Sequence, residues 1–238
     1  IAAPNWNHME RTIQPLRIIL SYPLSRDSPL YPGTPEMRFA AHERIGLKRA
    51  SATTIVSFHS HSGTHIDLPS HFCAGGGTVT DMITYGMVIE PVYCLSLPRR
   101  RGELIDGESL LEQSGGIEDA RGILIRTGFF SARAVDPDLY SSDHPYVHPS
   151  LVEALLERCP HLQIVGFDTV SMAVPHRKEE GTEAHRRFLC RPHPVMILED
   201  LDLSDERLLQ DGWRLQLFPF IHDAIEASPV VVLADKSP

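Results

Sequence analysis

Apolar positions in this chain fall into short runs far more often than into helical stripes. Residues 16–22 (Leu-Arg-Ile-Ile-Leu-Ser-Tyr) read as a strand ended by Pro23. Residues 37–45 and 53–59 read as paired strands, the second rich in β-branched and aromatic side chains. Further strands are expected at 87–97, 122–126, 162–167, 213–218 and 230–234. The clearest amphipathic helix is 150–157, with Pro149 before it and Pro160 beyond its end. Residues 109–113 suit a short helix, and the Pro-rich stretch 28–35 a loop. Gly75-Gly76-Gly77 reads as a flexible loop, because no lysine–serine or lysine–threonine pair follows to make a phosphate cradle. Many strands and few helices imply a mixed-sheet α/β fold. A chain of 238 residues can bury its core as a single domain, 1–238.

Composition narrows the partners more than the fold. A hydrophobic share of 42% with 22% charged residues is ordinary for a soluble globular protein. The net charge of −9 and the lack of a basic stripe argue against nucleic acid; Arg99-Arg100-Arg101, beside Pro98 and Gly102, reads as a solvated turn. No apolar run is long enough to span a bilayer, so no membrane is expected; no leader pattern is visible in the given sequence, which leaves export undecided. The four cysteines are scattered and read as reduced thiols of a cytoplasmic protein, Cys73 packing under the adjacent motif. A Gly-x-Ser-x-Gly elbow and a Gly-x-Gly-x-x-Gly turn are both absent, which removes the common serine-hydrolase and dinucleotide readings.

The chemistry concentrates in His61-Ser-Gly-Thr-His65-Ile-Asp67-Leu-Pro-Ser-His71-Phe72. Imidazole and carboxylate together suit a divalent metal, zinc first and manganese second, with a coordination position left open. Chance clustering among 13 histidines is the bland alternative, but four donors beside an apolar strand are hard to assign to it. His61 and His65 are four apart, yet Gly63 and Pro69 disfavour a helix. The expected form is a buried strand running into an irregular loop that gathers its side chains round one point. An open metal with a spare histidine points to hydrolysis at neutral pH. Outside the motif, Asp168 and Ser171 are expected to cap a turn and steady the cluster. His59 reads as a satisfied buried histidine, and His144 and His148 as solvated loop residues.

This motif resembles the defining signature of the cyclase family that includes bacterial kynurenine formamidase and isatin hydrolase. The similarity extends to Tyr31-Pro-Gly-Thr-Pro35, Gly122-Ile-Leu-Ile-Arg-Thr-Gly128, Val165-Gly-Phe-Asp-Thr-Val-Ser171, Ala184-His185 and Val195-Met-Ile-Leu-Glu199. The resemblance implies the β/β/α swivelling fold and a homo-oligomer, dimer or tetramer. It makes His61, His65 and Asp67 metal ligands and His71 the catalytic acid/base. In the formamidases Asp67 and Glu199 would bridge two zinc ions, with His185 on the second; the motif alone leaves one or two ions open. Cys190-Arg-Pro-His-Pro194 lengthens the link between His185 and Glu199, a departure from the family pattern.

The implied reaction is metal-activated water attacking a small amide. The arylformamidase version, a step of tryptophan catabolism, takes N-formylkynurenine to kynurenine and formate. A cyclic amide such as isatin, or a lactone, is the alternative, and a non-catalytic metal-binding protein is the alternative of another class. Tyr31 stands where formamidases tend to carry tryptophan, and Thr34 where they tend to carry aspartate. Tyr31 and Phe72 are the candidate substrate-binding residues; Phe129 reads equally well as core.

Overall fold

A computed structural model describes residues 16–46, 49–111, 115–222 and 225–236. The strands are β1 (Arg17–Ile19), β2 (Arg38–Glu43), β3 (Thr53–Ser57), β4 (His65–Asp67), β5 (Val88–Ser96), β6 (Leu104–Ile105), β7 (Gly122–Arg126), β8 (Tyr146–Val147), β9 (Ile164–Phe167), β10 (Met196–Glu199), β11 (Trp213–Pro219) and β12 (Ala227–Lys236). The helices are α1 (Val79–Tyr85), α2 (Gly107–Leu111), α3 (Ala132–Val135), α4 (Pro137–Ser142), α5 (Pro149–Arg158) and α6 (Lys178–Leu189).

The main sheet runs β1-β12-β11-β5-β7-β9-β10-β4, and β12 also pairs with β4. That second pairing closes the strands from β12 round to β4 into a barrel-like ring, with β1 added beside β12. The mixed α/β architecture expected from the sequence is the one observed. The run β5-β7-β9-β10 is parallel, while β4, β11 and β12 join antiparallel. Strand composition follows from this. β7 and β9 are almost wholly buried, as parallel strands covered on both faces must be, whereas β11 alternates.

Period-two alternation sends side chains into two cores. Leu124, Ile164 and Leu198 point into the barrel, with Ile66, Trp213, Leu215 and Val232. Their neighbours Ile123, Ile125, Val165 and Ile197 point outward, against Leu151, Val152 and Leu155 of α5 and Phe188 of α6.

Four expectations need correction here. β2 and β3 do pair, but β3 is exposed throughout, Ile55 and Val56 included, because the hairpin stands outside the barrel. The segment Gly75–Gly77 is pinned: Ser70 N–H donates to Gly77 O at 3.0 Å, and a Cβ on Gly76 would lie 2.6 Å from the Pro69 carbonyl carbon. Cys73 and Cys190 form a disulfide, leaving only Cys94 and Cys159 as free thiols. Reduced thiols therefore no longer argue for a cytoplasmic location. Helix α6 has no counterpart among the expected elements. Residues 112–114, part of the expected 109–113 helix, and Trp6, an aromatic suited to a subunit contact, lie outside the described residues. Among the described residues no helix is long and apolar enough to cross a membrane.

Candidate metal centre

β4 is the seat of the motif. It lies antiparallel to β10 with Glu199 opposite His65 and Ile197 opposite Asp67. Ile66 turns into the barrel, so His65 and Asp67 turn outward to the face that Glu199 shares. Across that face packs α6, which brings in His185. Gly63 lets the loop before β4 turn tightly against Leu24: its φ is +64°, and a Cβ there would meet the Leu24 side chain at 2.2 Å.

Five side chains from three elements and one loop converge. His61 Nδ1 lies 2.9 Å from Asp67 Oδ1 and His65 Nε2 3.4 Å from the same oxygen. His65 Nε2 is 3.3 Å from Glu199 Oε2. His185 Nε2 is 3.7 Å from Asp67 Oδ2 and 3.5 Å from Glu199 Oε1. Two donor triads result, His61/His65/Asp67 and Asp67/His185/Glu199, sharing Asp67 through its separate oxygens.

Several observations fit these residues to divalent cations. His65 Nε2 and both Asp67 carboxylate oxygens are buried without a hydrogen-bond partner, an expensive arrangement unless something coordinates them. Most of the spacings match the roughly 3.4 Å edge expected of a tetrahedron with metal–ligand bonds of about 2.1 Å. His65 Nδ1 contacts Gly63 O at 2.8 Å and His185 Nδ1 contacts Gly181 O at 2.7 Å. A ring donating from Nδ1 to a carbonyl offers its Nε2 lone pair to the centre, the usual outer support of a metal-binding histidine.

The electrostatics agree. Burial disfavours a charged His65, but the nearby carboxylates of Glu199 and Asp67 outweigh it and push the ring up to about 9. His185 is raised by the same balance of burial, Glu199 and Asp67. Burial likewise opposes ionised Glu199, yet His185 and His65 hold its carboxyl well below the usual range. Without a cation, a proton on His65 offsets part of the carboxylate charge.

His71 stands beside this cluster. The turn Pro69–His71 holds its ring 4.3 Å from that of His61 and 6.2 Å from that of His185. Burial pushes it down to about 4, against the pull of Asp67, so it is neutral at pH 7 and able to accept a proton. Phe72 stacks on His185 with centroids 4.8 Å apart, which places it behind a donor. Tyr31 is half-buried, its phenol raised by burial and then by the charge of Glu199; its ring lies 6.5 Å from that of His144.

Ser171 behaves as expected: its hydroxyl donates to Glu199 Oε1 at 3.1 Å, beside the Met172 N–H at 2.7 Å. Asp168 caps the turn at Thr127 and Gly128. Three histidines differ from expectation. His59 is exposed, because the strand before it is. His144 is fully buried and bonds Ala173 O. His148 caps α5, accepting from Ser150 N.

Sequence reasoning missed two supports. Glu226 accepts from Ser60 Oγ at 2.7 Å and lies 3.5 Å from His61 Nε2. Asp200, at φ +54°, binds Arg133 through both oxygens at 2.7 Å and accepts from Tyr140 at 2.7 Å. Its carbonyl accepts from Thr64 Oγ1 at 2.6 Å, stitching the motif to the end of β10. The only sequence hint was a second acid closing an apolar strand.

Comparison with known proteins follows this geometry. The model of the family described as Putative cyclase matches residues 18–174. Over 217 residues the chain is 26% identical to kynurenine formamidase of Bacillus cereus and 28% identical to that of Geobacillus thermodenitrificans, covering 90% of this chain and 94% of each relative. Its fold is similar to that of isatin hydrolase A from Labrenzia aggregata bound to benzyl benzoate, with a TM-score of 0.76 at 19% identity over 94% of both chains. A similar fold occurs in a predicted metal-dependent hydrolase from Bacillus stearothermophilus, with a TM-score of 0.68 at 20% identity over 92% of this chain and 97% of that one. The family match covers about two thirds of the chain, including the motif strand, the turn holding His71 and strands β5, β7 and β9, and on that ground the chain belongs to the Putative cyclase family.

Proposed function

We propose that this chain is a metal-dependent hydrolase of a small amide, with an arylformamidase-like reaction on N-formylkynurenine as the leading case. The observation that carries this reading is the pair of donor triads sharing Asp67, with the His71 ring 4.3 Å from that of His61. A divalent cation at His61, His65 and Asp67, with a second at Asp67, His185 and Glu199, would supply Lewis acidity and bring the pKa of water down to about 7. Zinc is the first candidate for these donors and manganese the second.

The chain's own groups divide the remaining work. The Gly63 and Gly181 carbonyls hold His65 and His185 in the tautomer that presents Nε2. Ser171 and the Met172 N–H occupy Glu199 Oε1, so that Oε2 faces His65. His71, being neutral, takes a proton from the attacking water and returns it to the leaving nitrogen. Tyr31 offers an aromatic wall to a planar acyl amine.

The formamidase relatives favour the linear formamide. The isatin hydrolase fold, and the hydroxyl that Tyr31 adds where formamidases tend to carry tryptophan, favour a cyclic amide as second reading. The exposed apolar hairpin β2–β3, with Ile55 and Val56, supports assembly into a homo-oligomer. The test couples metal analysis to turnover of N-formylkynurenine and isatin in wild type, His65→Ala and Asp67→Ala. Both variants are expected to lose metal and activity; metal retained in both would refute the assignment.

A further inference from the structure

We propose that the Cys73–Cys190 disulfide is an exchange site for small anionic thiols, placed so that opening it releases the two elements that carry His71 and His185. Position is the first ground. Cys73 follows His71 by two residues, its N–H donating to Pro69 O at 2.9 Å at the end of the histidine's turn. Cys190 ends α6, five residues after His185, its N–H donating to Arg186 O at 2.7 Å. The covalent link thus joins the motif turn to the helix on which the second triad depends.

Access is the second ground. Both cysteines line a cleft of about 1070 Å³, and Cys190 is exposed. Cys73 packs partly into the outer core, so an incoming thiolate meets Cys190 first.

Charge is the third. Arg191, next to Cys190 and on the same cleft wall, has its Nε and Nη1 buried with no hydrogen-bond partner. A guanidinium with two nitrogens left desolvated and unpaired is costly, and a carboxylate is an anion that would relieve it. Arg121 adds a second cation to the lining. The acid there, Asp81, already accepts from the Thr78 N–H at 2.8 Å as the cap of α1. The cleft therefore selects a thiol that carries a carboxylate.

The chemistry balances with thiol alone. A thiolate attacks Cys190 Sγ, the S–S bond breaks, and its electron pair leaves on Cys73 Sγ, which takes a proton from water. A second thiol attacks the mixed disulfide and departs as the symmetric disulfide, leaving Cys190 as a thiol. The reverse sequence, driven by the same small disulfide, closes the link, so the ratio of thiol to disulfide sets the state. Exposure of Cys190 is the property that separates labile disulfides from inert ones.

The exchange itself is independent of the hydrolase reading, while its effect on turnover rests on that reading. The experiment uses full-length protein purified without reductant, with glutathione as the anionic thiol and 2-mercaptoethanol as the neutral one. Opening is followed by alkylation and peptide mass spectrometry, alongside metal content and turnover. Both thiols are expected to label Cys73 and Cys190 in the folded protein while the buried Cys159 stays unlabelled. Arg191→Gln should slow opening by glutathione about tenfold and leave opening by 2-mercaptoethanol unchanged. Labelling only under denaturing conditions, or equal slowing for both thiols, would overturn the site. Reduced wild type should fall to the turnover of Cys190→Ser and recover on reoxidation, and Cys190→Ser should ignore glutathione. Full turnover and full metal with the disulfide shown open would overturn the coupling. Absence of turnover in every form would instead count against the hydrolase reading, with labelling and metal content still deciding the exchange.

Discussion

Asp200→Asn tests the support beneath the metal centre without touching a donor. Asp200 is fully buried, and its carboxylate accepts three bonds of 2.7 Å, two from Arg133 and one from Tyr140. The Arg133 side chain is only 13% exposed, so water cannot replace the lost partner, although its guanidinium lies 3.8 Å over the Tyr22 ring. Asparagine keeps the shape, one acceptor and tolerance of the positive φ, which confines the change to charge. Removing one member of a buried pair costs about 3–5 kcal/mol because the other charge is left uncompensated. That is a large share of the 5–15 kcal/mol typical of a domain.

Burial pushes the Asp200 carboxyl above its usual range despite Arg133, so the attraction between them does not fully offset their desolvation. Removing both charges should therefore cost less than the two single changes summed. Arg133→Met with Asp200→Asn is expected to recover about 1–3 kcal/mol relative to additivity. The assay is equilibrium urea unfolding of metal-free protein, since bound metal would add its own linkage. A loss below about 1 kcal/mol for Asp200→Asn, or an additive cycle, would refute the reasoning.

Other perturbations follow from the same geometry. His71→Ala should keep its metal and lose about 10²–10⁴-fold in turnover, measured together by metal analysis and steady-state kinetics; lost metal would make His71 a ligand. In metal-free protein His65 is pushed up to about 9, so its protonated form stabilises the fold fully below about pH 6.5, and that stabilisation is lost as pH rises through about 9. Metal must displace that proton, so affinity measured by competition with a chelator should rise about tenfold per pH unit between 7 and 9, and a flat profile would contradict the assignment. Replacing Cys73 and Cys190 together by serine opens a link across 117 residues and should lower unfolding free energy by about 5 kcal/mol on loop-closure entropy, read by denaturant titration. Gly76→Ala should drive the Pro69–Ser70 backbone away and lower turnover more than metal content, because His71 is the nearest functional side chain on that turn.

The sequence by itself determined what lies close along the chain. His61, His65, Asp67 and His71 sit within eleven residues, so any fold that stops this loop from forming a helix gathers them. Period-two runs such as 213–218 and the proline-bounded helix at 150–157 were legible because their apolar patterns are strong and local. Tertiary structure decided the rest. Glu199 faces His65 only because β10 pairs with β4 in a particular register, which nothing within either segment specifies. Helix α6 went unseen because its buried stripe is Gly181, Ala184, His185, Phe188 and Leu189, at the right spacing but with three members that carry no strong apolar signal. The exposed β3 shows the converse: a β-branched run looks buried in sequence, and only its position outside the barrel leaves it bare. The disulfide joins residues 117 apart, and Asp200 meets Arg133 across 67. Contacts at that range depend on chain closure, and residue order by itself does not encode it.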